Sequence, residues 1–119
     1  MAIALFFGGH WFLSLFSQTF FLHRYSAHQM FTMNRFWERF FHIFTFISQG
    51  SSYLNARAYA VLHRLHHKYS DEQGDPHSPI NSGNVFNMMW NTAKVYANLK
   101  NERIPVEPSM LKDIPDWKI

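Results

Sequence analysis

The stretch Ala2–Leu22, AIALFFGGHWFLSLFSQTFFL, carries no charged side chain and runs straight into His23. Wound as an α-helix rising about 1.5 Å per residue, it would be roughly 30 Å long, the thickness of the hydrocarbon core of a bilayer. The sequence therefore predicts one transmembrane helix over residues 2–22. A signal peptide is the rival reading, but no basic residue opens the segment and no small-residue cleavage motif closes it. His10, Ser14, Ser17 and Gln18 interrupt the apolar run. Such groups are costly in hydrocarbon unless they face protein, so further spans are expected beside this one.

Immediately behind this stretch stands the first of two histidine boxes, HRYSAH over His23–His28; the second, HRLHH, covers His63–His67. Together they hold five of the eight histidines. Neutral imidazole is the commonest metal ligand among side chains, so this clustering points to metal chemistry. On an α-helix His63, His66 and His67 fall within an arc of about 100°, whereas His23 and His28 lie about 140° apart. A shared site thus requires the first helix to unwind or bulge; otherwise each box serves a different metal. The chain has no cysteine, which excludes disulfides, thiolate zinc sites and cysteine-held iron–sulfur clusters and leaves nitrogen and oxygen as donors.

No Lys or Arg precedes the apolar stretch, while Arg24, Arg35 and Arg39 follow it. The positive-inside rule then puts the N-terminus outside and both boxes on the cytoplasmic face of a membrane. Phe40–Leu54 is apolar only to Ile47 before Ser48, Gln49, Gly50, Ser51 and Ser52, a length that suits a re-entrant or interfacial helix. Asp71, Gly74, Asp75, Pro76 and Pro79 predict turns; Asn84 predicts the cap of an amphipathic helix presenting Val85, Met88, Met89, Tyr96 and Leu99 on one face; Pro105, Pro108 and Pro115 predict an irregular tail. The expected architecture is an all-α integral membrane protein of one domain: a transmembrane helix (2–22), a segment with both boxes and the re-entrant helix (23–83), and an amphipathic cytosolic helix with its tail (84–119).

A net charge of +3 spread over scattered basic residues argues against a nucleic-acid partner. The second box lacks the glutamate of a His-Glu-x-x-His zinc protease, and no Ser/His/Asp or phosphate-loop signature occurs. His10 and His42 read as helix-packing residues, the Phe12, Phe16, Phe20 and Phe21 stripe as packing or lipid contact, and Lys94 and Lys100 as solvated.

With its two boxes, the Lys68, Tyr69, Ser70, Asp71 run and the Asp75, Pro76, His77 run, the chain resembles the N-terminal half of the membrane-bound fatty acid desaturases of the acyl-CoA or acyl-lipid type. The resemblance implies a di-iron centre, dioxygen as co-substrate, electrons from a ferredoxin- or cytochrome-type carrier, membrane lipid as surroundings, and insertion of a cis double bond into an acyl chain. It carries over His23, His28, His63, His66 and His67 as iron ligands, with Arg24, Arg64, Asp75 and His77 supporting them. No histidine follows His77, so the family's third box is missing. The expectation is a truncated piece of a longer protein, a reading that the ending Asp116, Trp117, Lys118, Ile119 favours over a remnant unable to catalyse alone. A related histidine-box lipid hydroxylase or ketolase is an alternative, as is a non-enzymatic membrane protein binding metal or haem.

Overall fold

All regular structure among the described residues is helical. The computed structural model describes residues 1–115 and Trp117; Asp116, Lys118 and Ile119, on which the truncation reading leaned, lie outside the described residues. The order is α1 (Ala2–Ser17), a π-helix (Gln18–Ala27), α2 (Arg35–Gln49), α3 (Ala56–Tyr69), α4 (Pro79–Ser82) and α5 (Val85–Lys100), with short 3-10 turns at Gly50–Ser52 and Pro108–Leu111.

The expected transmembrane helix over 2–22 is corrected by this arrangement. No helix among the described residues is long and apolar enough to cross a membrane. The α-helical winding stops at Ser17 after 16 residues, about 24 Å of rise against the roughly 30 Å required. The remainder of the apolar stretch, Gln18–Leu22, belongs to the wider π-helix that continues through the first histidine box. The segment expected as a re-entrant or interfacial helix from Phe40 lies within α2, which begins five residues earlier, at Arg35, and packs along α1.

The pairing of α1 with α2 is antiparallel, since Phe20 meets Phe41 (ring centroids 5.0 Å apart), Phe16 meets Phe44 (6.4 Å), and His10 lies beside Gly50. Between them the Ser17 and Ser48 hydroxyls share a 2.7 Å hydrogen bond. Asn34 starts α2 by accepting from the Trp37 N–H, and Glu38 sits favourably in the first turn. Gly50 stops it at φ +55°, a left-handed conformation that glycine adopts without strain. The buried stripe of α2 is polar, consisting of His42, Thr45, Ser48 and Gln49, while Phe36, Trp37, Phe40, Ile43 and Ile47 are exposed. Thr45 and Ser48 satisfy their hydroxyls on the carbonyls of Phe41 and Phe44, and Gln49 accepts from the Leu54 N–H.

α3 is capped by Asn55, whose side chain accepts from Ala58 N–H at 3.0 Å. Its first half buries Ala56, Ala58, Ala60 and Val61, small residues that let neighbouring elements approach closely. The C-terminal half of α5 packs on Ala58 and Val61 with Val95, Tyr96 and Leu99, while Ala56 packs with Phe21, Leu22 and Tyr25 of the π-helix. The Tyr96 hydroxyl accepts from Asn55 N–H, and Arg57 donates to the Leu99 carbonyl. Asn84 caps α5 by accepting from Asn87 N–H, but the apolar face expected along the whole helix is packed only at its end: Val85 is 61% and Met89 56% exposed, against 1% for Leu99.

His42 is buried against Phe21, and neither ring nitrogen has a hydrogen-bond partner among the described residues. Burial pushes its pKa below the ordinary 6.5, Glu38 opposing and Arg39 adding to the effect. An unfolded chain therefore takes up a proton at His42 as pH falls below about 6.5, while the folded one resists until lower pH. The stability contributed is complete above that value and is lost as pH descends toward the folded pKa, at a slope approaching about 1.4 kcal/mol per pH unit. Urea unfolding at about pH 7.5 and about pH 5.5 is expected to show a smaller loss for His42→Phe than for the wild type; an identical loss would refute a dry, neutral His42.

Candidate metal centre

The first box reaches the site on a π-helix, whose hydrogen bonds run from each N–H to the carbonyl five residues back. The His28 N–H accordingly donates to the His23 carbonyl at 3.0 Å, and residues five apart return to one side. The imidazoles of His23 and His28 thus come to 4.6 Å between ring centroids. The second box needs no such distortion, because His63 and His67 are one α-turn apart on α3.

Arg64, between the two ligand positions of α3, joins the boxes. Its Nε donates to the Ala27 carbonyl (2.8 Å) and its Nη2 to the Ser26 carbonyl (3.1 Å), the free carbonyls at the end of the π-helix. Its Nη1 donates to the carbonyls of Met110 and Lys112 at 2.9 and 3.0 Å. One side chain thereby ties the first box, the second box and the tail.

Four imidazoles converge as a result. His63 Nε2 lies 2.9 Å from His28 Nε2 and 3.0 Å from His67 Nε2, and ligand nitrogens of His23, His28 and His63 all fall within 4.8 Å of one another. An imidazole nitrogen carries either one proton or one lone pair, so His63 Nε2 cannot make a full hydrogen bond to both neighbours. A cation accepts lone pairs from all of them. With metal–nitrogen bonds of about 2.1 Å, tetrahedral ligand nitrogens sit roughly 3.4 Å apart, close to the spacing seen here, so the donor set fits a metal ion. Burial, then the neighbouring histidines in the order His23, His67, His28 and His66, push His63 down to about 4. Burial, His23, His67 and Arg64 push His28 below the ordinary value. Both are therefore neutral near pH 7, the form that donates a lone pair.

The fifth histidine of the boxes stands apart. His66 turns its Nδ1 to both carboxylate oxygens of Asp75, 3.0 Å away. Burial alone would raise the Asp75 pKa, but hydrogen bonds from Asp71 N–H, His66 and His77 N–H outweigh it and hold the carboxyl below the usual range. His77 gives its backbone N–H to Asp75 at 2.8 Å and sets its ring against Thr92. Arg24 is exposed, with no side-chain hydrogen bond among the described residues. Beside the cluster opens a cavity of about 490 Å³ walled chiefly by apolar groups, including Leu54, Leu62, Met89 and Tyr96, with His63, His66 and His77 on one side. Tyr59, also in its wall, stacks on His63 at 5.8 Å and 6°. Thr92 and Tyr59 were not legible as site residues, because only tertiary packing brings them to the boxes.

The fold and site define an all-helical protein with a histidine-rich centre fit for a metal ion, set beside an apolar cavity. Among characterised proteins the chain is similar to a hex-5-enoyl-[acyl-carrier protein] acetylenase of Moorena producens (strain JHB), with 35% identity over 71 residues. The match covers 60% of this chain and 21% of the acetylenase, so the chain corresponds to about a fifth of that relative. The likeness is compatible with a desaturase-like family. No protein-family model matches the chain, and no solved structure does.

Replacing Arg64 by Met keeps the aliphatic stem and removes every donor to the four carbonyls. The substitution is expected to cost about 2–4 kcal/mol in urea unfolding and to weaken metal binding roughly 10- to 100-fold, since the two boxes lose their common anchor. Metal affinity unchanged in the folded variant would show that the boxes hold their positions without it.

Proposed function

We propose that this chain belongs to a fatty-acyl-modifying oxidoreductase and holds iron on His23, His28, His63 and His67 while laying an acyl chain along the neighbouring cavity. The observation that carries the reading is the convergence of two sequence-distant histidine boxes at the edge of an apolar cavity. The similarity to an acetylenase named for its action on a hex-5-enoyl group on acyl-carrier protein supports it. The finer reading is desaturation, with a cis double bond as product and a small ferredoxin- or cytochrome-type protein as electron donor.

When bound, iron would supply the oxidising power by which dioxygen, two electrons and two protons take two hydrogens from adjacent acyl carbons, leaving a carbon–carbon double bond and two waters. The residues of the chain do the rest. His23, His28, His63 and His67 would hold the metal. Arg64 keeps the first box against the second. Tyr59 supports the His63 ring from the cavity side, and Leu54, Leu62, Met89 and Tyr96 exclude water while offering apolar contact worth about 0.8 kcal/mol per buried methylene. His66, held by Asp75, faces the same cavity.

Four imidazoles already fill a tetrahedral site, which favours as a second reading a metal-binding protein without redox turnover. Expression in a bacterial host supplied with fatty acids of defined length, followed by mass spectrometry of the acyl groups, separates the two. Products lighter by two hydrogens are expected with the wild type and not with His63→Ala, whose iron content should also fall. Metal retained on the wild type without any lighter product would favour the second reading, and absence of any bound metal from the wild type would sink both.

A further inference from the structure

Where α3 begins, a cavity of about 430 Å³ opens between α2, α5 and the tail, and it shares no lining residue with the cavity beside the histidine cluster. It gathers donors that lack acceptors. The first N–H groups of a helix have no partner within it. At the start of α3 the Asn55 side chain takes the Ala58 N–H and the Tyr96 hydroxyl takes that of Asn55, but no hydrogen bond among the described residues uses the N–H of Ala56 or Arg57. Ala56 is 1% exposed, and a buried N–H without an acceptor is rare in folded proteins. His42, 2% exposed, stands in the wall of the same cavity, and its two ring nitrogens have no partner among the described residues. A neutral imidazole still has one N–H to give.

The surrounding charge is positive. Arg57, whose Nη1 donates to the Leu99 carbonyl, and Lys100 line the cavity, while Arg35 and Arg39 lie over the Trp117 ring in its wall at 4.8 and 5.0 Å. Against these cations the exposed Glu102 is the one carboxylate among the lining residues, and Glu38, behind Trp117, already accepts from the Tyr25 hydroxyl and the Trp117 indole. The unused groups all donate. A water molecule accepts few hydrogen bonds and must donate as well, whereas the oxygens of an anion accept from every one of them. Free N–H groups at a helix start, at the positive end of its dipole, are a ready site for phosphate. Phe46, Tyr53 and Trp117 add aromatic walls. We propose that this cavity binds a phosphate group, held by the Ala56 and Arg57 N–H groups, the Arg57 and Lys100 side chains and His42, with the aromatic walls receiving an organic group joined to it. The site is separate from the proposed iron position and does not depend on it.

The test is calorimetric titration of the purified full chain with inorganic phosphate and with phenyl phosphate, at one ionic strength held with sodium chloride. Saturable binding to the wild type is expected. Lys100→Gln and Arg57→Gln should each weaken it about tenfold or more, as should His42→Phe, which keeps a buried ring, since each removes a hydrogen bond to a charged group. Circular dichroism checks that each variant is folded, and bound metal should stay at the wild-type level in all three, because none of them alters a histidine box. Tighter binding of phenyl phosphate than of inorganic phosphate would assign a phosphate ester as the occupant, and equal affinity would assign free phosphate; either result upholds the site. No saturable binding of either probe by the folded wild type would overturn the proposal. Full affinity in folded Lys100→Gln, Arg57→Gln and His42→Phe alike would overturn it too, by placing the anion elsewhere.

Discussion

The arrangement turns on one guanidinium. Arg64 reaches from the middle of the second histidine box to the last carbonyls of the π-helix and to two carbonyls of the tail. A π-helix is uncommon because its wider winding packs its own backbone less well, so ten residues of it need support from outside the helix. Here the support is the burial of Phe21, Leu22 and Tyr25 on one side and Arg64 on its open end. The five-donor fork of arginine suits the task, since it can address several carbonyls in fixed directions where a lysine offers one point charge. Through it the helical register of the first box and the position of the second are set together.

A second constraint comes from α2, which turns its polar stripe inward and its aromatic and aliphatic residues outward. The usual polarity of a surface helix is reversed, and the buried hydroxyls are satisfied largely on their own helix, one turn back. α1 is likewise apolar on its outer side, with Ile3, Leu5, Phe6, Phe7, Trp11 and Phe12 all more than 60% exposed. Contiguous uncovered apolar surface on this scale marks a contact region. It is carried by α1 and α2, whereas the histidine cluster is built on the π-helix and α3. The tail is itself pinned to α2: the Trp117 indole donates to Glu38, which also accepts from the Tyr25 hydroxyl, while Arg35 and Arg39 stack on the Trp117 ring.

Local signals told much of the helical layout in advance. Asn84 stood where a cap was needed, Asp71 through Pro79 read as turns, and the three-and-four spacing of His63, His66 and His67 placed them on one side of a helix. The apolar run from Ala2 misled, because composition alone does not reveal where α-helical winding gives way to a wider one. The apolar stripe of α5 was legible too, but not which part of it α3 would cover: α3 packs on the Leu99 end, and a cavity opens beside Met89.

What the sequence by itself determined is the chemistry on offer: nitrogen donors in place of thiolates, two boxes at turn-length spacing, helices between them, and a first box whose five-residue interval would hold its two imidazoles about 140° apart on a plain α-helix. Only the tertiary structure decided which histidines meet. It gathers His23, His28, His63 and His67 and sends His66 to Asp75 and the cavity. The reason is geometric. Helical periodicity specifies direction around one axis, to within the arc shared by His63, His66 and His67. The choice among neighbours in that arc depends on where a second helix and a distant carboxylate come to lie, and packing supplies that information.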